Sequence, residues 1–249
     1  MSTYLKEVAA ALDAWAPWNT AEPWDNVGVL VESAPEVTGV VCALDPTPAA
    51  QAFAQANGCN TLVTHHPVIF HALKSVGPGT PAVRLALAGM NVVSAHTNLD
   101  KAPDGVCETL ARAVGLVDVR ATAGTCVLGE MAETSSVAGF AARIAKLLGA
   151  PVRYSLGGRA VHTAAVVSGA GGDYFAEAKA LGADCLVTGE AGHHDFLDAE
   201  ALGLPVIAAT HAATERIIVP VLAARLQTAL PGCPVLEFLE GEPFAEARP

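Results

Sequence analysis

Nothing in this chain marks it for a membrane, an oxidising compartment or a nucleic-acid groove. Its apolar stretches are broken by Gly, Lys, Arg or His well short of the roughly 18 residues that a spanning helix needs. The opening, MSTYLKEVAAALDAW, lacks a basic head followed by a long apolar run. It reads as an amphipathic helix behind a Ser/Thr cap, so no secretory leader is expected and the expected location is cytoplasmic. The six cysteines (Cys42, Cys59, Cys107, Cys126, Cys185 and Cys233) are scattered without a CxxC pair. In a chain of this length that reads as reduced, buried small side chains, not a disulfide frame or a zinc knuckle. Basic residues are few: 14 Lys and Arg stand against 25 Asp and Glu, for a net charge of −11, and there is no Lys/Arg run. A duplex binder needs a concentrated basic surface, so nucleic acid is not the expected partner. Small anionic substrates stay open, above all where bound cations supply local positive charge. Aromatics are scarce at 5%, whereas 52% of the residues are apolar, much of that Ala and Val. That mix suits close-packed α/β layers.

What is present is a pattern written twice. Residues 58–64 (GCNTLVT) and 182–188 (GADCLVT) are short apolar runs behind a Gly turn, and each leads to paired histidines, His65-His66 and His193-His194. Downstream, residues 89–95 (GMNVVSA) and 203–209 (GLPVIAA) repeat the run, and each leads to a histidine with a carboxylate four residues on. The pairs are His96 with Asp100 and His211 with Glu215. Helical stretches at 80–88 and 194–202 separate the two strands of each half. Strand, helix, strand with Gly turns is the grammar of a parallel βαβ unit, and polar chemistry in such sheets gathers beyond the carboxyl ends of the strands. The pattern predicts two similar α/β halves, 1–124 and 125–249, joined near Ala121–Thr125. Residues 137–151 (VAGFAARIAKLLGAP) open the second half as a helix, and residues 156–172 (LGGRAVHTAAVVSGAGG) are a strand and a Gly-rich turn. A final helix (213–230) and strand (233–239), within a segment 214–249 that can pack back on the first half, complete the chain.

Histidine, aspartate and glutamate together are ligands of zinc, manganese, iron or nickel. Neighbouring side chains diverge on an extended backbone, which Pro67 favours at His66, so His65 and His66 suit two metals better than one. Asp100 and Glu215 sit on opposite halves of the repeat, and a bridging carboxylate offsets the repulsion of two cations. Each element alone has a duller explanation. A single strand-end histidine is commonly a hydrogen-bonded structural residue, and a His-x3-carboxylate pair at a helix start can be capping and dipole compensation. Recurrence at equivalent positions of both halves favours the metal site, with His65, His66, Asp100, His211 and Glu215 as ligands. His96, His193 and His194 are assigned to pocket-facing or proton-carrying roles, and His71 and His162 to structural ones. Two further segments carry weaker signals: a turn at Pro23–Gly28 that can lean over the site, and SGAGGDY (168–174), a Gly-rich stretch without Walker or dinucleotide spacing.

Taken in order, PWDNVGVLV (23–31), VTHHPVIFHALKSV (63–76), SAHTNLDKAPDGV (94–106), TGEAGHHDFLDAEALG (188–203) and THAATERIIVPVLAARL (210–226) resemble the motifs of the Nif3-like family. Its bacterial members are often labelled GTP cyclohydrolase 1 type 2 homologues, and the resemblance runs through essentially the whole chain. It implies two divalent metals in a cleft between two similar α/β domains, and a toroidal homohexamer with the metals facing inward. The family's HHP histidines fall on His65 and His66, its HTNLD aspartate on Asp100, and its last ligand pair on His211 and Glu215. Thr210 stands where the family usually has Gly, and Ala212 where it usually has Tyr or Phe, so a wall of the pocket is altered. The chain resembles the short form, without the domain that longer members insert between the halves. The implied activity is metal-dependent hydrolysis of a nucleotide-like or otherwise phosphorylated small molecule. If GTP is the substrate, the reaction is opening of the imidazole ring at C8. The alternative is a non-catalytic metal-handling or regulatory protein that forms a ring-shaped oligomer.

Overall fold

The computed structural model describes residues 2–156 and 159–245. Gly157 and Gly158, at the head of the strand expected after Leu156, lie outside the described residues. In chain order the first stretch holds β1 (Thr3–Tyr4), α1 (Leu5–Trp15), β2 (Gly28–Val31), β3 (Glu36–Val37), β4 (Val40–Ala43), α2 (Pro48–Ala56), β5 (Thr61–Thr64), α3 (Pro81–Leu87), β6 (Asn91–Ser94) and α4 (Thr97–Lys101). Next come α5 (Val106–Ala113), β7 (Val117–Ala121), β8 (Val127–Ser136), α6 (Val137–Leu148), β9 (Arg153–Tyr154), β10 (Ala160–Val166), α7 (Phe175–Ala180), β11 (Cys185–Thr188), α8 (His193–Ala201), β12 (Val206–Ala208) and α9 (His211–Glu215). The chain ends in α10 (Ile218–Ala229) and β13 (Val235–Glu237). No helix among the described residues is long and apolar enough to cross a membrane.

Packing divides the chain into two units: residues 1–102 with 218–240, and residues 103–217 with 241–249. The division at Ala102–Pro103 differs from the sequence-based halves 1–124 and 125–249, and the reason is local. Residues 122–126 are only the turn between β7 and β8, which are antiparallel neighbours in one sheet. Helix α5 packs on β7, β8 and β10, so it belongs with the sheet those strands form.

The first unit carries a five-stranded sheet in the order β13-β4-β5-β6-β2, parallel except for β2 at the edge. Every residue of β4, β5 and β6 is buried, as expected of central strands covered on both faces. Val41, Ala43, Leu62 and Val92 pack against Ala50 and Ala54 of α2 and Ala82 and Leu85 of α3. Strand alternation gives Val40, Cys42, Val63 and Val93 to the other face. Helix α10 lies along β4 and β13, and α1 packs on α10 and β2. Helix α1 begins at Leu5, without the predicted Ser/Thr cap. Thr3 and Tyr4 are drawn into pairing with Glu36 and Val37, and the Glu7 carboxylate takes the Tyr4 N–H at 2.7 Å.

The second unit carries a six-stranded sheet, β7-β8-β10-β11-β12-β9, in which β10, β11 and β12 are parallel. Helices α5 and α6 bury Leu110, Phe140 and Ile144 on the face that presents Val166, Val187 and Ile207. Ala178 of α7 and Ala199 of α8 pack on the face that presents Ala165, Leu186 and Val206. Each unit therefore contains three parallel strands followed by an antiparallel edge strand, β4-β5-β6-β2 in one and β10-β11-β12-β9 in the other. Gly58, Gly89, Gly182 and Gly203, one before each repeated strand, all have positive φ, between 65° and 82°. That backbone turns a helix end into the next strand, and glycine adopts it without a Cβ clash.

The helix expected over 213–230 is two helices. Pro220 has no N–H for the Arg216 carbonyl, and its ring would collide with that carbonyl in a continuous helix. The chain breaks after Glu215 and restarts at Ile218, so that Pro220 falls in a first turn, where the missing donor costs nothing.

Candidate metal centre

In the first unit, three neighbouring parallel strands each deliver a side chain two residues past their end: Asp45 after β4, His66 after β5 and His96 after β6. The strand ends Ala43, Thr64 and Ser94 are register partners, so the three side chains start level. The Thr64 hydroxyl donates to the His66 carbonyl at 2.8 Å and sits 2.9 Å from the Ser94 hydroxyl, which ties the ends of β5 and β6 together.

His65 is fully buried, with Nδ1 3.0 Å from the Ala95 carbonyl oxygen. A carbonyl only accepts, so Nδ1 carries the proton and Nε2 keeps its lone pair. Nε2 lies 3.7 Å from a carboxylate oxygen of Asp100 on α4. His66 Nδ1 lies 2.8 Å from Asp45 Oδ1, and His96 Nδ1 lies 2.8 Å from Asp25 Oδ1. With a carboxylate accepting at Nδ1, Nε2 is again the nitrogen left to bind a metal or carry a proton. One ring nitrogen from each of His65, His66 and His96 lies within 4.8 Å of the others, so this group could hold a metal ion.

The support behind these rings is specific. The Asp25 side chain is fully buried, and its second oxygen accepts the Thr97 N–H at 3.0 Å and the Thr97 hydroxyl at 2.5 Å. Burial by itself pushes the Asp25 carboxyl up. The hydrogen bonds from His96 and Thr97, with the charge of His96, outweigh that and hold it well below the usual carboxylate range. Asn26 donates from Nδ2 to the Ile69 carbonyl at 2.6 Å, fastening the Pro23–Gly28 turn to the segment after the paired histidines. Behind Asp45, the Glu240 carboxylate accepts the N–H groups of Leu44 and Asp45, both at 3.2 Å.

In the second unit, α9 carries His211 and Glu215 one turn apart. His211 Nε2 lies 3.0 Å from Glu215 Oε2, and His211 Nδ1 lies 3.4 Å from Glu190. Glu215 is only 4% exposed, and a carboxylate is buried at large cost unless a cation or donors compensate it. Thr210 caps α9: its hydroxyl accepts the Ala213 N–H at 3.2 Å and donates to Glu242 at 2.7 Å. Where the family resemblance expected Gly, threonine thus supplies a helix cap that glycine lacks. Ala212 is buried on the same helix. The Gly-rich turn after β10 makes room for this pair. Gly169 has φ +58°, and a Cβ there would overlap a Glu215 carboxylate oxygen and lie 3.2 Å from His211 Nε2.

His193 and His194 occupy the exposed first turn of α8, their rings 5.4 Å apart. Neither joins a group of three potential ligands among the described residues. Asp195 of that turn takes the Gly192 N–H at 2.6 Å. His71 is exposed with its ring 4.7 Å from that of Phe70, and His162 is exposed on β10 with Nε2 3.6 Å from Glu130. Sequence reasoning reaches Asp25 only as part of the Pro23–Gly28 turn, and it passes over Asp45 and Glu240. Asp45 carried a usable signal, because the strand-end rule that picks out His66 and His96 applies equally to β4.

Comparison with known proteins matches residues 3–240 to the family described as Duf34/NIF3 (NGG1p interacting factor 3). A relative from Clostridium acetobutylicum, named GTP cyclohydrolase 1 type 2 homolog, is 28% identical over 246 residues, covering 92% of each chain. A Staphylococcus aureus relative of the same name is 41% identical over 119 residues, 46% of this chain and 32% of that protein. Among solved structures, Staphylococcus aureus protein SA1388 superposes with a TM-score of 0.91 at 27% identity, covering 98% of this chain and 99% of that one.

Proposed function

The chain belongs to the Duf34/NIF3 family, and from that premise we propose that it binds two divalent cations, drawn from iron, manganese, zinc or nickel, through His65, His66, Asp100, His211 and Glu215. The observation that carries this reading is the way the ligands His65 and His66 are held, with His96 held alike beside them. Each ring has an acceptor at Nδ1, and the three offer nitrogens within 4.8 Å of one another. An acceptor behind Nδ1 fixes the ring and raises the basicity of Nε2, which is how ligating histidines are ordinarily held. The donor set, imidazoles with carboxylates and no thiolate, fits borderline divalent metals. The buried Glu215 carboxylate, 3.0 Å from His211 Nε2, adds a hard oxygen donor to that set.

The activity proposed is cytoplasmic, metal-dependent hydrolysis of a nucleotide-like or phosphorylated small molecule. Cations held there supply Lewis acidity and a hydrolytic water of lowered pKa. His96, backed by the buried Asp25 carboxylate, is the proposed proton carrier, since a carboxylate at Nδ1 orients the ring and stabilises its protonated form. His193 and His194 are assigned to the approach of the substrate. The same premise extends to a homohexameric ring, which the mass of the protein in solution checks directly.

The test is metal analysis of freshly purified protein, followed by turnover over a nucleotide and phosphate-ester panel with manganese, iron and zinc. Two metals per chain, and loss of turnover in His65→Ala and Glu215→Ala, support the proposal. Unaltered rates in both variants sink it. Full metal loading with no turnover across the panel would replace the hydrolase with a metal-handling protein.

A further inference from the structure

In a chain with so few aromatic residues, two large rings stand in solvent beside the imidazole group. Trp24 is 59% exposed and Phe70 40% exposed. Their ring centroids are 5.8 Å apart, and they lie 6.4 Å and 6.0 Å from the His96 ring. Leaving an indole in water forgoes one of the largest burial gains any side chain offers. The turn holds it there firmly. Asp25 is bonded to His96 and Thr97, Asn26 is bonded to the Ile69 carbonyl next to Phe70, and the Glu22 N–H donates to the Thr97 hydroxyl at 2.9 Å. The same turn that orients His96 therefore presents Trp24, so ring and base are placed together.

We propose that Trp24, with Phe70 at its side, is a stacking platform that seats a planar heteroaromatic ring next to His96. This rests on the metal-dependent reading above and narrows it: the ligand carries a nucleobase-like ring and is not a bare sugar phosphate. The two rings are tilted 55° to one another, so they cannot sandwich a base between parallel faces. One exposed face receives it, which gives affinity without reading the base edge. Leu73 and Val76 are also exposed on the segment that bears Phe70, and a second copy of the chain covering these side chains is the competing occupant.

AMP and ribose 5-phosphate, which differ by the ring alone, are titrated calorimetrically into metal-loaded wild-type, Trp24→Ala and Trp24→Tyr protein, with metal content and solution mass measured on the same samples. A stacking platform makes wild-type protein prefer AMP by roughly 5- to 150-fold, the range that base stacking contributes. Trp24→Ala then binds AMP no better than ribose 5-phosphate while keeping its metals, and Trp24→Tyr recovers most of the preference. An equal affinity of wild-type protein for both probes overturns the platform, as does a preference that survives in Trp24→Ala. A change of solution mass in Trp24→Ala with the preference intact overturns it in favour of the copy interface. Absence of metal from wild-type protein counts against the metal reading alone, because the preference between the probes is still measured.

Discussion

Replacing Gly169 with alanine plants a methyl group where the Glu215 carboxylate lies. Two costs combine. Gly169 has φ +58°, and a side chain in that region costs about 1–2 kcal/mol by backbone sterics. The new Cβ also meets Glu215 and His211 Nε2, the latter at 3.2 Å, and forcing an extra methyl into packed space costs about 1–3 kcal/mol. Gly182 isolates the first cost: its φ is +82° and a Cβ there meets nothing within 4 Å. Urea unfolding should therefore place Gly182→Ala about 1–2 kcal/mol below wild type and Gly169→Ala about 2–5 kcal/mol below. The chemical consequence should exceed the energetic one, because the carboxylate that moves is a proposed ligand. Metal analysis of folded Gly169→Ala should show lost metal, whereas Gly182→Ala keeps its full complement. Equal destabilisation of the two variants, with wild-type metal content in both, refutes the contact between Gly169 and Glu215.

Asp25→Asn and Asp45→Asn each replace the carboxylate behind a histidine with a neutral, weaker acceptor, and competition titration should show metal affinity or turnover reduced about 10- to 100-fold. The Asp25 carboxyl sits below its usual range, so it adds stability above the unfolded carboxylate pKa, and this is lost as pH falls toward the folded value. Asp25→Asn should accordingly flatten the acid limb of the stability-against-pH curve, and an unchanged limb would count against the assignment. Thr210→Ala should cost about 0.5–2 kcal/mol in urea unfolding as the α9 cap is lost, with Thr210→Ser close to wild type. All six cysteines are buried outside any disulfide, and burial pushes the thiols of Cys42 and Cys185 far up. A thiol reagent should find none of them in native protein and all six in denaturant.

The parts of the fold that could be read from sequence are those that repeat locally. Gly58, Gly89, Gly182 and Gly203 open strands β5, β6, β11 and β12 on the same backbone turn, and a fully buried strand shows as an unbroken apolar run. The histidines at those strand ends were visible for the same reason. What escaped depends on distant pairing. Asp25 reaches His96 across 71 residues and Asp45 reaches His66 across 21, and a single carboxylate carries no periodic mark of such a partner. The packing division lies away from the join expected near Ala121–Thr125 because β7 alternates too weakly to reveal β8 as its partner: its residues are exposed or half-buried on both faces. The break between α9 and α10 was legible in Pro220, which the apolar pattern around it obscured.

The order in which the strands are laid down has a consequence for biosynthesis. Strand β13, residues 235–237, pairs with residues 40–42 of β4, so the earliest sheet gains its last strand only after almost 200 further residues have been made. Until then β4 offers an open edge of hydrogen-bonding groups to any neighbouring nascent chain. The path from one unit to the other is crossed at Ala102, Ile217 and Glu240, so no single cut separates the two units with both sheets complete. A ribosome-bound chain halted before residue 218 would hold the second unit's whole sheet and an unfinished first one, and it is the product most exposed to quality control.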